Sequence, residues 1–408
     1  MIVHTEQHIP LLACAHGIHP PIHHKDRYGW TGLAQCAVFF FVGHTPHYTN
    51  RLQSYDFLLK YANKTCKFEK KVVLLHVNLK ITHKILFVMI VETSPYKVFA
   101  LSQGGELAKR ICEYLGCSLG NIQVARFSDG EFAVSFEESV RGQSVYIVQS
   151  TCPNSDNIME LLLAIDAAKR ASAYKVIAVI PYFGWARQDR KDKPRVSIGA
   201  KVCANLLQGV GVDRVITVDL HADQIQGFFD IPVDHLYGAN VLADYVQSLN
   251  LDNLIVASPD VGGTKRASVF AKKLTALTKQ DVPMVICYKH RPNANQIGEM
   301  RVLGDVKDKN VVIIDDIADT AGTLCKAAEV MKAAGAKSVR ALVSHGLMSG
   351  PACERVGSSA LEELVYTDSI PFNKERCSKV SIVSMAKPIA ETILAIQNHR
   401  SVSELNIH

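Results

Sequence analysis

Several common signatures are missing from this chain of 408 residues, and each absence excludes a class of protein. Its eleven cysteines form no C-x-x-C pair, which argues against a disulfide framework or a zinc ribbon and favours a reducing compartment. It has no G-x-x-x-x-G-K-[ST] loop and no G-x-G-x-x-G fingerprint, so if it uses a nucleoside triphosphate it does so by neither of these common routes. No apolar run reaches the roughly 20 residues that span a membrane. We therefore expect a cytoplasmic protein with no membrane partner.

The net positive charge of the chain is confined to its N-terminal part. Residues 1–88 hold 10 Lys and Arg against 4 Asp and Glu, whereas the remainder holds 35 of each. A neutral body argues against a nucleic-acid partner. The same N-terminal part carries ten of the sixteen histidines and shows no sustained period of 2 or 3.6. We interpret residues 1–95 as a His-rich extension that is disordered or not native to the fold.

From Tyr96 onwards, strand-like and helix-like segments alternate along the chain. Short apolar runs predict strands, at residues 97–101, 144–150, 175–183, 214–221, 254–260, 283–289, 340–345 and 379–385. Helical periodicity and composition predict helices, at residues 106–116, 157–171, 198–209 and 264–274. Such alternation implies parallel sheets with right-handed crossovers. Because the series is too long for one small sheet, we predict two tandem α/β domains, at residues 96–238 and 239–408.

The run VVIIDDIADTAGT at residues 311–323 is the most informative segment. Four β-branched residues predict a strand buried on both faces. Three acids, Asp315, Asp316 and Asp319, follow it, and then a loop of small residues leads into a helix-like stretch. Ligands of open α/β sheets bind at the carboxyl ends of strands, and a helix N-terminus favours a phosphate. Carboxylates that accept hydrogen bonds from sugar hydroxyls beside such a phosphate site indicate a ribose phosphate, although an acidic surface turn has the same composition.

Three further polar segments follow predicted strands. The segment RQDRKDK at residues 187–193 is either a solvated loop or a source of cationic donors for a polyphosphate. His221 stands at the end of a strand, beside Asp219, so it is either structural or a candidate for metal binding or acid–base chemistry. Asp260 precedes a glycine pair, in what is either a plain turn or an acidic site.

Taken together, these motifs resemble those of the ribose-phosphate pyrophosphokinase family. The resemblance extends from about Tyr96 to about Glu404 and follows the family's order. Besides the segments above, it rests on FSDGE (127–131), ESVRG (138–142), the run at 219–237, GDVKDK (304–309) and SHGLMSGPA (344–352). It implies two tandem phosphoribosyltransferase-like domains with parallel sheets flanked by helices. It also implies transfer of a pyrophosphoryl group from Mg-ATP to the C1 hydroxyl of ribose 5-phosphate, with Mg²⁺ as the cofactor.

The resemblance assigns expected roles to individual residues. The expected ribose 5-phosphate contacts are Asp315, Asp316, Asp319, Thr320, Ala321, Gly322 and Thr323. The expected ATP contacts are Phe127, Asp129, Glu131, Arg187, Gln188 and Asp192, although many relatives carry Asn in place of Asp129. The expected magnesium positions are His221 and Asp260. The expected catalytic pair on a mobile loop is Lys289 and Arg291.

The resemblance also implies regulation and assembly. Members of the family form homo-oligomers, as dimers that assemble to a hexamer, with phosphate and ADP as effectors at subunit contacts. Ser139, Arg141 and Arg195 fit the allosteric pattern, whereas Asp223 and His235 replace the small polar residues of the most tightly regulated members. Two alternatives stay open: a phosphoribosyltransferase, which shares the acidic pair and small-residue loop, and a non-catalytic regulatory relative.

Overall fold

The computed structural model describes residues 96–290 and 299–403, together with the backbone of four strands between residues 13 and 91. Residues 1–94 and 95–408 form two separate compact units. The four strands of the first unit form an antiparallel sheet in the order β1-β2-β4-β3, with the bounds Ala13–Cys14 (β1), Cys36–Gly43 (β2), Lys71–Asn78 (β3) and Lys84–Val91 (β4). The remainder of this segment lies outside the described residues, so our interpretation of residues 1–95 stays a prediction.

The first sheet of the larger unit is parallel and has the strand order β11-β10-β9-β8-β5. Its strands and a separate antiparallel hairpin, β6-β7, have the bounds Tyr96–Ala100 (β5), Ile122–Arg126 (β6), Phe132–Phe136 (β7), Ser144–Val148 (β8), Lys175–Ile180 (β9), Arg214–Val218 (β10) and Val233–Leu236 (β11). Strand β8 is buried at every position, which explains its unbroken apolar run.

The second sheet has the order β14-β13-β12-β15-β16-β17-β18 and is parallel except for the antiparallel pair β13-β14. The bounds of its strands are Leu254–Ser258 (β12), Met284–His290 (β13), Glu299–Leu303 (β14), Asn310–Ala318 (β15), Ser338–Gly346 (β16), Glu363–Thr367 (β17) and Val380–Val383 (β18). Strand β15 lies in the middle of this sheet. Its pairing with β12 ends at Ala257 and Ile313, so the polar residues at its end are held by the continued pairing with β16.

Helices cover both faces of each sheet, with the bounds Gly105–Leu115 (α1), Asp156–Arg170 (α2), Gly199–Gly209 (α3), Ala239–Ser248 (α4), Thr264–Thr278 (α5), Gly322–Ala333 (α6), Ala352–Ser358 (α7) and Ala386–Gln397 (α8). Apolar residues of β8 alternate between two core clusters, which contain α2 and α3 on one face and α1 and α8 on the other. Gln397 donates a 2.8 Å hydrogen bond to the hydroxyl of Tyr146, so the last helix packs against the first sheet. Among the described residues, no helix has the length and apolarity needed to cross a membrane.

The predicted α/β architecture of parallel sheets flanked by helices is confirmed. The two sheets fall on either side of Gly238, and the division into two domains there remains our interpretation. One detail of β15 differs from the sequence-based expectation. Asp315 and Asp316 lie within the strand and not in the following loop, because pairing with β16 continues to the pair Ala318 and Gly346.

Candidate active site

Three carboxylates mark the carboxyl end of β15. Asp315 and Asp316 occupy adjacent positions near the end of the strand, and Asp319 lies just beyond it. The side chain of Asp316 is 9% exposed and that of Asp315 is 21% exposed. Burial of two neighbouring carboxylates is unfavourable unless other groups neutralise them. The contacts of these acids therefore define the site.

His221 is the first of these contacts. It follows β10 of the first sheet, and its Nδ1 lies 2.6 Å from Oδ2 of Asp316 in the second sheet. The carboxyl ends of the two parallel sheets therefore meet at this contact. The carboxylate that contacts the His221 ring is therefore that of Asp316 and not that of the neighbouring Asp219.

Asp219 instead anchors the turn that carries His221. Its backbone is left-handed, with φ of +34°, and its carboxylate accepts hydrogen bonds from the Gly238 amide, at 2.8 Å, and from the Ser344 hydroxyl. His345 of β16 also contacts the Asp219 carbonyl, at 3.0 Å from Nε2. His345 is fully buried, which lowers its pKa and keeps it neutral, so its Nε2–H is the donor here. These contacts from β16 hold the turn in a conformation that is uncommon for an aspartate.

Arg266, in the first turn of α5, contacts both acids of β15. Its Nη1 lies 3.1 Å from Oδ1 of Asp315 and 3.3 Å from Oδ1 of Asp316. Burial of Asp315, reinforced by the negative charge of Asp316, raises the pKa of Asp315 above its usual range. Burial also tends to raise the pKa of Asp316, but the hydrogen bond with His221 and the charge of Arg266 outweigh it, and that pKa is lowered. The hydrogen bond with Asp316 raises the pKa of His221 in turn.

The loop between β15 and α6 has the features of an anion site. Ala321 is left-handed, with φ of +55°, and α6 begins at the next residue, Gly322. The side chains of Thr320 and Thr323 are exposed. Arg355 of α7, a helix that packs on the second sheet, donates a hydrogen bond to the Thr320 carbonyl. This contact stabilises the loop. A helix N-terminus preceded by such a turn presents backbone N–H groups to a phosphate.

An ion pair joins the two segments predicted to hold different substrates. Nη1 of Arg187, in the loop after β9, lies 2.8 Å from Oδ2 of Asp319. Burial tends to raise the pKa of Asp319, but this ion pair and a hydrogen bond from Ser349 lower it overall. Gln188 is exposed beside Arg187, and Asp192 is exposed further along the same loop. The structure thus brings Arg187 to Asp319, whereas among the described residues no hydrogen bond or ion pair connects Asp192 to the three acids.

The two expected magnesium positions lie in separate turns. Asp260, which follows β12, is exposed, and its Oδ1 accepts a 2.9 Å hydrogen bond from the Gly263 amide. His221 uses Nδ1 for the contact with Asp316, so Nε2 is the ring nitrogen that this contact leaves for a ligand. Within the described part of the chain, no group of three or more His, Cys, Asp or Glu is arranged to hold a metal. Mg²⁺ prefers oxygen ligands and is commonly held by one or two carboxylates, water and substrate phosphates, so the Asp260 carboxylate fits this ion better than the His221 nitrogen does.

Three of the expected ATP contacts, Phe127, Asp129 and Glu131, lie in the turn of the hairpin β6-β7. Phe127 is 55% exposed. The turn is closed by the Phe127 amide, which donates to the Glu131 carbonyl at 2.7 Å, and by the Glu131 amide, which donates to the Asp129 carboxylate at 3.0 Å. Arg126, just before the turn, pairs with Asp156 of α2 at 3.1 Å. No hydrogen bond or ion pair links this turn to the acids of β15 in the described chain.

Among the remaining predicted residues, Ser139, Arg141 and Arg195 make no hydrogen bond or ion pair with the acids of β15 within the described part of the chain. Arg141 donates a 3.1 Å hydrogen bond to the Ser172 hydroxyl, and Arg195 has a left-handed backbone in an exposed loop. Ser139 precedes the buried Val140 on the first domain's surface. Lys289 belongs to β13 by its backbone, which pairs with Met300, and Arg291 lies outside the described residues.

Asp223 and His235, the positions that differ from the tightly regulated members, form one cluster. Nδ1 of His235 lies 3.8 Å from Oδ1 of Asp223, and its Nε2 accepts a 2.9 Å hydrogen bond from the Leu220 amide. Asp223 also lies 3.5 Å from Nζ of Lys265. His235 is buried and supports the same turn that carries His221.

Sequence reasoning missed Arg266, Arg355 and His345. One signal pointed to Arg266: a cation in the first turn of a helix opposes the helix dipole, so a basic residue there needs a compensating partner. Arg355 and His345 gave no such signal. Their contacts depend on how the ends of distant elements meet, which the sequence pattern does not specify.

Comparisons with known proteins find similar sequences and a similar structure over most of the chain. A model of the N-terminal domain of ribose phosphate pyrophosphokinase matches residues 96–211, and a model of the phosphoribosyl synthetase-associated domain matches residues 271–406. The chain is 58% identical over 311 residues to the ribose-phosphate pyrophosphokinase of Porphyromonas gingivalis, which covers 76% of this chain and 97% of that protein. It is 50% identical over 313 residues to the ribose-phosphate pyrophosphokinase of Chlorobaculum tepidum, and this alignment covers 76% of this chain and 95% of that protein. A crystal structure of phosphoribosylpyrophosphate synthetase from Mycobacterium smegmatis superposes with a TM-score of 0.69, at 34% identity, and covers 75% of this chain and 100% of that one.

Proposed function

The chain belongs to the ribose-phosphate pyrophosphokinase family, and we propose that it transfers the pyrophosphoryl group of Mg-ATP to the C1 hydroxyl of ribose 5-phosphate. The products are 5-phosphoribosyl 1-pyrophosphate and AMP. The protein is an enzyme of nucleotide biosynthesis. The observation that carries the proposal is the junction of three carboxylates, a histidine and a helix N-terminus at the carboxyl end of β15.

The end of β15 supplies complementary groups for both parts of a sugar phosphate. Asp315 and Asp316 accept hydrogen bonds from the sugar hydroxyls, because ionised carboxylates are pure acceptors with several lone pairs. The loop from Thr320 to Thr323 holds the 5-phosphate through backbone N–H groups and the two hydroxyls. Asp319 borders this loop and is neutralised by Arg187 before substrates bind.

The nucleotide is bound mainly by the first sheet's loops. Arg187 and Gln188 contact the ATP phosphates, Asp192 belongs to the same loop, and the hairpin turn from Phe127 to Glu131 holds adenine. His221 and Asp260 hold Mg²⁺, which supplies neutralisation of the phosphate charge when it is bound. Phosphoryl-group transfer depends on positioning and charge neutralisation more than on covalent help from the protein.

Lys289 and Arg291 are the proposed catalytic pair. Their cationic groups stabilise the negative charge that grows on the transferring group, and loss of one such donor costs roughly 10²–10³ in rate. We therefore expect Lys289→Ala and Arg291→Ala to lower kcat strongly with little change in the KM for ATP. Near-normal turnover in either variant would contradict this assignment.

We further propose that the enzyme acts in the cytoplasm as a homo-oligomer of dimers assembled to a hexamer. Phosphate and ADP are the proposed effectors, with Ser139, Arg141 and Arg195 as the allosteric residues. The Asp223–His235 cluster occupies positions that are small and polar in tightly regulated members, so we expect weaker inhibition by ADP here. Inhibition curves with ADP on the purified full chain test this point.

The reaction is tested by incubating the full chain with ATP, Mg²⁺ and ribose 5-phosphate and measuring AMP and the pyrophosphorylated sugar by ³¹P NMR. We expect both products in equal amounts, and loss of both in an Asp316→Asn variant. A phosphoribosyltransferase would instead consume the pyrophosphorylated sugar with a nucleobase. A non-catalytic relative would form no AMP, and either result would refute the proposal.

A further inference from the structure

Arg266 lies between the candidate sugar acids and the candidate metal turn. It is the third residue of α5, which begins directly after the turn that contains Asp260. Its Nη1 contacts one carboxylate oxygen of Asp315 and one of Asp316, at 3.1 and 3.3 Å. The side chain of Arg266 is 30% exposed, so this contact is only partly screened by solvent.

The two acids differ in which groups they contact besides Arg266. Asp316 also contacts His221, at 2.6 Å. Asp315 accepts a 2.9 Å hydrogen bond from the Asp316 amide, and Arg266 is its one positively charged partner among the residues whose side chains the structure describes. Without the guanidinium, two adjacent carboxylates would repel one another and turn away from a common orientation. Asp315 is therefore the acid whose position depends most on Arg266.

The location of Arg266 is unfavourable for the helix that carries it. The first turn of α5 contains Lys265 and Arg266 and no acid. Positive charge at a helix N-terminus opposes the helix dipole. Lys265 is 86% exposed and lies 3.5 Å from the exposed carboxylate of Asp223, whereas Arg266 turns toward the acids of β15. The ion pairs with those acids offset the cost of this placement.

We propose that Arg266 is a positioning residue that fixes the carboxylates of Asp315 and Asp316 for the sugar hydroxyls. The proposal rests on the proposed function. Contact with one oxygen of each acid still leaves acceptor positions for hydroxyl donors, because a carboxylate has about four of them. Arg266 acts through the two acids, so its removal weakens binding of ribose 5-phosphate and leaves ATP binding nearly unchanged.

The test compares Arg266→Gln and Arg266→Lys with Lys265→Gln, which removes the same charge from the neighbouring, solvent-exposed position. Steady-state kinetics at saturating Mg²⁺ give kcat and the KM for each substrate, and calorimetry gives the affinity for ribose 5-phosphate. We expect Arg266→Gln to raise the KM for ribose 5-phosphate at least about tenfold, since charged hydrogen bonds are lost. The KM for ATP should stay within about twofold of wild type, a change of under half a kcal/mol. Arg266→Lys should recover part of the loss, and Lys265→Gln should behave as wild type.

A normal KM for ribose 5-phosphate in Arg266→Gln would overturn the inference, as would equal losses for both substrates. If Arg266→Gln does not fold, Arg266→Lys must show the same difference, with a raised KM for ribose 5-phosphate and a nearly unchanged KM for ATP. A wild-type chain that forms no AMP would refute the proposed function alone. In that case a thermal-unfolding cycle of Arg266→Gln and Asp315→Asn still tests the contact: we expect the loss from Arg266→Gln to shrink in the Asp315→Asn background, and additive losses contradict it.

Discussion

Asp315 and Asp316 are neighbours in one strand, but their substitution should change stability in opposite directions. We consider Asp315→Asn and Asp316→Asn in the free enzyme, without metal or substrates. Burial and the charge of Asp316 raise the pKa of Asp315, whereas the hydrogen bond with His221 and the charge of Arg266 lower the pKa of Asp316 against the effect of burial. At neutral pH the charge of Asp315 therefore lowers the free energy of unfolding, whereas the charge of Asp316 raises it.

The sign of each effect follows from linkage between proton binding and folding. A raised pKa means that folded protein binds the proton of Asp315 more tightly than unfolded protein does. Its stability contribution is present below the unfolded pKa, near pH 4, and is lost as pH rises through the folded value. For Asp316 the pKa is depressed, so its contribution is present above the unfolded pKa and is lost in acid as pH falls through the folded value.

The expected magnitudes are large enough to measure. Each pH unit between folded and unfolded pKa corresponds to about 1.4 kcal/mol, so Asp315→Asn should stabilise the free enzyme at pH 8 by roughly 1–3 kcal/mol. Asp316→Asn removes the charge of a side chain that is 9% exposed, so His221 loses its anion and Arg266 keeps only Asp315 of its two carboxylate partners. It should destabilise the enzyme by roughly 2–4 kcal/mol.

Urea unfolding of the two variants and wild type between pH 5 and pH 8.5, in the presence of EDTA, measures both effects. Asp315→Asn should flatten the decline of stability with rising pH, and it should also weaken binding of ribose 5-phosphate. The reasoning is refuted if both variants shift the unfolding midpoint in the same direction at pH 8. The reasoning is also refuted if the stability of Asp315→Asn declines with rising pH as steeply as that of the wild type.

Two further predictions concern the surroundings of the site. In a double-mutant cycle of Arg187→Ala and Asp319→Asn, we expect a coupling free energy below about 1 kcal/mol, because the Arg187 side chain is 49% exposed; a value above about 2 kcal/mol would show a desolvated pair. Gly184→Ala should destabilise by about 1–3 kcal/mol or more, since a Cβ there would lie 2.0 Å from the Thr151 carbonyl oxygen. Gly105→Ala, where a Cβ meets nothing within 4 Å, is the control and should be neutral or stabilising in thermal unfolding; equal losses in both would contradict the steric reason.

The buried strands were predictable because their apolar runs are continuous. Strand β8 and the first half of β15 are covered by helices on both faces, and only a parallel sheet imposes that pattern. The hairpin β6-β7 was missed. Half-buried residues alternate with exposed ones along these two strands, and none is fully buried, so the apolar signal in the sequence is weak. The end of β15 was misplaced because its pairing with β16 is a tertiary contact that extends the strand through Asp315 and Asp316.

The candidate site was predictable in its residue types more than in its contacts. The acids of β15 and His221 were recognisable because they follow buried strands, whose carboxyl ends meet in this fold. Their partners were not recognisable. The contact between His221 and Asp316 spans 95 residues of sequence, and the ion pair between Arg187 and Asp319 spans 132. Such pairs depend on how the two sheets face one another, which local periodicity does not encode.

The central claim is that paired acids hold the sugar while the adjacent loop holds its phosphate. Calorimetric titration of the full chain with ribose 5-phosphate, in the presence of Mg²⁺ and a non-hydrolysable ATP analogue, tests it most directly. We predict saturable binding at one site per chain, weakened strongly in Asp316→Asn, and no comparable binding of ribose without its phosphate. Absence of binding by the wild-type chain, or equal affinity for unphosphorylated ribose, would contradict the claim.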